Sequence, residues 1–142
     1  MTLKHFVCAV AGCIGGAVTN IMGGWNGAMT TLLIFMALDY ITGLVVAAVF
    51  HKSSKSESGS LESHAGWKGL IKKGVTLMIV IAAYRLDLLI GTDYIKSAVI
   101  IAFCANELIS LIENAGLMGV PIPEVITRAI EVLKQKGNGD EE

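Results

Sequence analysis

Charge is what this chain has least of. Of its 142 residues only 16% are Asp, Glu, Lys or Arg, while 54% are apolar before any of the 16 glycines is counted. A soluble domain averages about 25% charged residues, because a small domain leaves most of its surface in water and must cover it with polar side chains. The shortage argues against a soluble globular enzyme. Its distribution argues harder: between Lys4 and Lys52 the sole formally charged residue is Asp39. That interval is long enough to cross a bilayer twice, at about 20 residues per helix.

Other shortages narrow the class. A net charge of −1 offers no basic surplus of the kind that neutralises phosphates, so a nucleic-acid partner is set aside. The cysteines Cys8, Cys13 and Cys104 are odd in number, lie in apolar stretches and lack CxxC spacing. They imply neither a disulfide framework nor a zinc site and are read as small apolar packing residues. His5, His51 and His64 include no pair at i, i+4 that would face a metal, so neither a metal nor a cofactor is expected. GxSxG, the Walker lysine loop and HExxH are all missing. An intramembrane aspartyl site would need a second aspartate at the depth of Asp39, and Asp87 and Asp93 belong at the surface opposite the cytoplasm. No enzymatic activity is expected.

What is present is a set of apolar runs separated by short polar breaks. Spans are expected at 6–22, 28–50, 70–90 and 94–112, with Gly23-Gly24-Trp25-Asn26-Gly27 and Gly91-Thr92-Asp93 as tight turns. The serine-rich stretch 51–69 cannot sit in hydrocarbon and forms the one substantial loop. The third span is the weakest, because its uncharged stretch 74–84 is short. Lys73 and Arg85 must reach toward water or find partners within a bundle. For the first span a cleaved leader ending near Thr19 is the rival reading.

Basic residues set the orientation. Lys4, then Lys52, Lys55, Lys68, Lys72 and Lys73, then Arg128, Lys134 and Lys136 fall on one side of such a bundle, and basic residues concentrate on the cytoplasmic side. The expected fold is an all-α integral membrane protein with four transmembrane helices and both termini in the cytoplasm. Residues 1–118 form the membrane domain. Residues 119–142 form a short amphipathic cytoplasmic helix and an acidic tail. In that helix Ile122, Val125, Ile126, Ala129, Ile130 and Leu133 recur at helical spacing, and Glu124 and Arg128 form an i, i+4 pair. Gly137 can end it, and its apolar face suits either the domain's own cytoplasmic face or a membrane or subunit contact.

Asp39 stands near the middle of the second span, where an acid costs about 2.5–3.5 kcal/mol on insertion scales and must be compensated or protonated. Counting about 1.5 Å per residue from the cytoplasmic ends places Asp39 near Arg85 in depth and Glu107 near Lys73. In the fourth span Asn106, Ser110 and Glu113 share a stripe, with Glu107 and Asn114 beside it. Such a stripe faces other helices or water, so interhelical hydrogen bonding and an aqueous wall both remain open. Gly12 and Gly16, and Gly43 and Ala47, make small-xxx-small faces that let helices approach closely.

The segments Asp39-Tyr40-Ile41-Thr42-Gly43, Gly66-Trp67-Lys68-Gly69 with Lys72-Lys73, Leu86-Asp87, Asn106-Glu107 through Ser110 to Glu113-Asn114, and Gly119-Val120-Pro121-Ile122-Pro123 together resemble the toxin-secretion and phage-lysis holin family. The resemblance covers roughly residues 30–136. It departs from the family at 53–63, where Glu57 and Glu62 make the loop more acidic. Span one carries no motif of the family. The resemblance implies a protein that self-associates in the bacterial cytoplasmic membrane. At a set time it forms lesions that release an endolysin, or in some clostridial relatives large toxins, without needing to touch that cargo. Asp39, Lys73, Arg85, Asn106, Glu107, Ser110 and Glu113 are then candidates for assembly or lesion lining. The competing reading is a small proton- or cation-coupled transporter or channel using Asp39 or Glu107, though the Asp39 motif has no counterpart in the second half. A membrane scaffold without conductance is a third.

Overall fold

Apolar runs broken by glycine turns should give helices joined by short connections, and the chain builds them. The structure, a computed structural model, describes residues 2–138; among these every regular element is helical. Helix α1 covers Leu3–Ile21, and α2 covers Gly27–Val45 and continues through a π-helical turn, Val46–Phe50. Helices α3, α4 and α5 cover Ser63–Ile90, Ile95–Leu117 and Glu124–Asn138. The expected acidic tail, 139–142, lies outside the described residues.

The connections follow from local chemistry. Gly23 and Gly24 both take left-handed φ angles, 81° and 88°. A side chain at Gly23 would also strike the Tyr84 ring, 2.5 Å from an added Cβ, so this position needs glycine twice over. Asn26 then starts α2 by accepting the Met29 N–H on its side-chain oxygen at 2.9 Å. At the far end of α2 the wider π turn leads into His51, the one non-glycine described residue at positive φ (51°), where the chain reverses. After α4, Gly119 at φ 84° closes the helix, with the Val120 N–H on the Ala115 carbonyl at 3.0 Å.

Helix α3 begins at Ser63, inside the stretch 51–69 read from polarity as loop. Polarity marks where a chain leaves hydrocarbon, whereas a helix extends as far as its backbone bonding allows. At 28 residues α3 is about 42 Å long, more than a bilayer's hydrocarbon thickness of about 30 Å. Three described helices are both long and apolar enough to cross a membrane: α1, α2 through Phe50, and α4. Helix α3 has the length, but Lys68, Lys72, Lys73, Arg85 and Asp87 dilute its apolar character.

The chain divides into two compact units, Met1–Ile34 with Ile71–Cys104 and Phe35–Leu70 with Ala105–Glu142. The first buries Met22, Met29, Leu32, Val80, Ala83 and Ile100, together with Asp87 and Lys96. The second buries Met36, Val46 and Ala47 beside Asp39, Glu107 and Asn114. No residue of α1 is buried, and Gly12 and Gly16 face open space. Cys8 and Cys13 on the same helix are exposed as well, so of the three cysteines only half-buried Cys104 sits partly within packing. Helix α5 follows Pro123 as its spacing predicts, with Glu124 accepting a hydrogen bond from Arg128. It runs through Gly137 instead of ending there. Its apolar Val125 is 78% exposed, and the side chains of Leu133 and Lys134 lie outside the described residues.

Candidate functional site

Asp39 is 4% exposed, twelve positions into a helix of apolar neighbours. A carboxylate withdrawn from water must recover its lost hydrogen bonds from the protein. Ser110 donates its hydroxyl to Oδ1 at 2.6 Å, and Asn114 donates Nδ2 to the same oxygen at 3.1 Å. Lys55 Nζ lies 3.8 Å from Oδ1. The Asn114 amide also approaches the Asp39 carbonyl at 3.2 Å and Thr42 Oγ1 at 3.0 Å, so its two N–H groups are shared among three acceptors. Thr42 turns its own proton back to the Leu38 and Asp39 carbonyls, which leaves its oxygen able to accept. Helical spacing assembles this set: Asp39 and Thr42 are three apart on α2, and Ser110 and Asn114 four apart on α4.

Lys55 arrives because the chain reverses at His51. The loop is held by the Ser53 N–H on the Gly59 carbonyl (2.9 Å), the Ser56 hydroxyl on the Ser60 carbonyl (2.7 Å) and His51 Nδ1 against Ser60 Oγ (3.1 Å). Together with α2 and the start of α3 it borders a small cavity of about 50 Å³. There Tyr40 donates its hydroxyl to the Gly66 carbonyl at 3.4 Å, and its ring runs past Gly69, where an added Cβ would stand 3.6 Å away. The Asp39-Tyr40 and Gly66–Gly69 segments, distant in sequence, are therefore one site in space.

A second buried carboxylate, Asp87 (3% exposed), belongs to the other unit. Its Oδ1 accepts from the Thr92 hydroxyl at 2.5 Å and the Ile95 N–H at 3.0 Å, and its Oδ2 from the Lys96 N–H at 2.8 Å. From the last turn of α3, Asp87 thus caps the next helix, meeting amide donors that α4 cannot satisfy within itself.

The inward polar row on α4 is Glu107, Ser110 and Asn114. Glu107 is 7% and Asn114 6% exposed, whereas Asn106 and Glu113 are exposed. A polar stripe read from sequence does not say which of its edges turns inward; here the helix is rotated toward the 107 and 114 edge. Within its own unit Asp39 meets Ser110, Asn114 and Lys55, and Arg85 is exposed. Lys73 is half-buried; Gly43 approaches Asn114 and Lys55, each 3.8 Å from an added Cβ. Among the described residues no group of three His, Cys, Asp or Glu could hold a metal ion.

The sequence model of the bacteriophage holin family matches residues 16–135, which takes in both carboxylate sites. The chain belongs to the bacteriophage holin family. It is 35% identical over 136 residues to an uncharacterized protein of Clostridium perfringens, covering 93% of this chain and 95% of that one. An uncharacterized protein of Listeria monocytogenes is 36% identical over 129 residues, 89% of this chain and 86% of its own. A probable holin of Bacillus phage phi105 is 30% identical over 104 residues, 72% of this chain and 71% of its own. No solved structure matches. Holin membership and several long apolar helices mark a membrane protein, of a family that points away from enzymatic activity. Within this holin-family chain, sequence reasoning missed Thr42, Lys55 and Lys96. Thr42 lies within the Asp39 segment and was legible as a hydrogen-bonding neighbour at i+3; Lys55 and Lys96 are placed by tertiary contacts and left no local signal.

Proposed function

We propose that this protein is a holin: copies accumulate in a bacterial cytoplasmic membrane, self-associate, and at a set time open lesions through which an endolysin or toxin leaves. The observation that carries the reading is the Asp39 site. A buried carboxylate accepts there from a hydroxyl and an amide and stands near a half-exposed lysine. Interhelical hydrogen bonds in membranes average about 0.6 kcal/mol, so such a set can be exchanged, donor by donor, for water or for groups of a second copy. Asp39, Ser110 and Glu107, with Lys73, Arg85, Asn106 and Glu113, are the groups we assign to assembly and lesion lining. Gly12, Gly16, Gly43 and Ala47 are the close-packing faces, the first two open to another copy.

The topology we propose has α3 as a fourth span, with both termini and the 51–62 loop cytoplasmic. Three spans would put Arg128, Lys134 and Lys136 outside, against the distribution of basic residues that orients membrane proteins. Inducible expression in a bacterial host with a co-expressed endolysin tests the function. Abrupt growth arrest, loss of membrane potential and passage of the endolysin are expected. Release of ions without protein rejects the lesion, and steady substrate-dependent flux makes the protein a transporter. Reporter fusions after residue 60 and at the C-terminus test the topology, and both must report the cytoplasm.

A further inference from the structure

The unit formed by Met1–Ile34 and Ile71–Cys104 holds a cavity of about 330 Å³, bordered by the turn after α1, the end of α3 and the start of α4. Lys96 lines it and is 6% exposed. Its ammonium carries three N–H donors, yet it is met by the Gly24 carbonyl at 3.5 Å, the outer limit of a hydrogen bond, and by the Tyr84 ring with its centroid at 5.4 Å. Lysines are almost never this buried without an anionic partner. The location makes matters worse, since Lys96 is the second residue of α4 and the positive end of a helix disfavours a cation. Asp87 offsets the charge from within the same cavity. Its oxygens, however, are committed to Thr92 and to the Ile95 and Lys96 amides. An ammonium with donor capacity to spare faces a polar cavity.

Charge balance decides what kind of anion fits. Lys96 contributes one positive charge, while Asp87 and Asp93 contribute two negative ones, with Asp93 exposed at the rim. A free phosphate would be repelled by that excess; a zwitterion with its phosphate inward and its ammonium outward would not. The surroundings indicate where such a molecule comes from. Trp25 (53% exposed) and Tyr94 (63%) flank the cavity in sequence, the residue types that mark the headgroup level of a bilayer, and Leu89 nearby is 82% exposed. We propose that this cavity seats the headgroup of a zwitterionic phospholipid bearing a primary amine, its phosphate on Lys96 and its ammonium on Asp93. The proposal uses the membrane placement of α1 and α4 and does not depend on lesion formation.

The test uses the full chain in detergent and follows thermal unfolding as lipid is added. Dioleoylphosphatidylethanolamine should raise the midpoint at about tenfold lower concentration than dioleoylphosphatidylglycerol, and dioleoylglycerol and inorganic phosphate should not raise it. K96Q should lose the response to both phospholipids, and D93N should erase the preference for phosphatidylethanolamine while keeping a response to phosphatidylglycerol. Asp93 is exposed, so D93N reports even where K96Q fails to fold. An unchanged response in K96Q, an equal effect of dioleoylglycerol, or a preference that survives D93N overturns the proposal. A shift produced by inorganic phosphate also overturns it, in favour of a soluble anion.

Discussion

The two units solve the same problem, a carboxylate taken out of water, in opposite ways. In the unit containing α1, Asp87 sits among an apolar core of Met22, Met29, Leu32, Val80, Ala83 and Ile100 and bonds mainly backbone amides at the start of a helix. Backbone donors at a helix start cannot turn away, so this carboxylate is built in. In the other unit Asp39 shares its burial with Glu107 and Asn114, and side-chain donors meet it, among them a serine, an asparagine and a lysine on a loop. Side chains can rotate to other acceptors. The comparison separates a carboxylate met by backbone amides from one met by side-chain donors.

The sharpest way to break this distinction is Asp87→Ala. It strands the Ile95 and Lys96 amides and the Thr92 hydroxyl and leaves the Lys96 ammonium without its neighbouring charge. It should give the largest drop in thermal midpoint of any change considered, measured on the purified chain in detergent. Asp39→Ala comes next, with an expected loss of about 1–3 kcal/mol for leaving buried donors unsatisfied, and Asp39→Asn should recover roughly half of it because one amide oxygen still accepts. On lysis timing the order should invert, with Asp39→Asn shifting the onset severalfold while its stability stays nearer the parent's. An Asp39→Asn protein with unchanged onset would remove Asp39 from the groups assigned to assembly and lesion lining.

Smaller effects grade the Asp39 site itself. Asn114→Ala removes an amide shared by three acceptors and should cost about 1–2 kcal/mol, more than Ser110→Ala at about 0.6 kcal/mol. Lys55→Gln should be the weakest, within about 0–1 kcal/mol, because the lysine side chain is 52% exposed and its nitrogen stands 3.8 Å away. Denaturant or thermal unfolding of the three variants checks the ranking. A Lys55→Gln loss as large as that of Asn114→Ala would show that the site depends on a fixed ion pair, and the contrast with Asp87 would fail.

How far the sequence reaches is visible at particular residues. The helices at 3–21, 27–50 and 95–117 are close to the expected runs because apolar length and glycine turns are local properties. The amphipathic helix after Pro123 was legible for the same reason, and so was the Glu124–Arg128 contact. Asp39 drew attention as an isolated charge, and the polar residues of α4 as its natural neighbours. Its partners were not all predictable. Depth counting ranks residues along a membrane normal and carries no information about rotation around each helix. It therefore did not find Lys55, which a reversal at His51 returns to the site.

Composition and patterning alone determined that this is a helical membrane chain, and the order of its short segments was enough to suggest the family. Tertiary structure alone decided which edge of α4 faces inward, that the Asp39-Tyr40 and Gly66–Gly69 segments meet, and that Lys96 is buried beside a cavity. The reason is physical: hydrophobicity, chain length and turn propensity act between near neighbours. The burial of a charge depends on atoms that only the folded chain brings together.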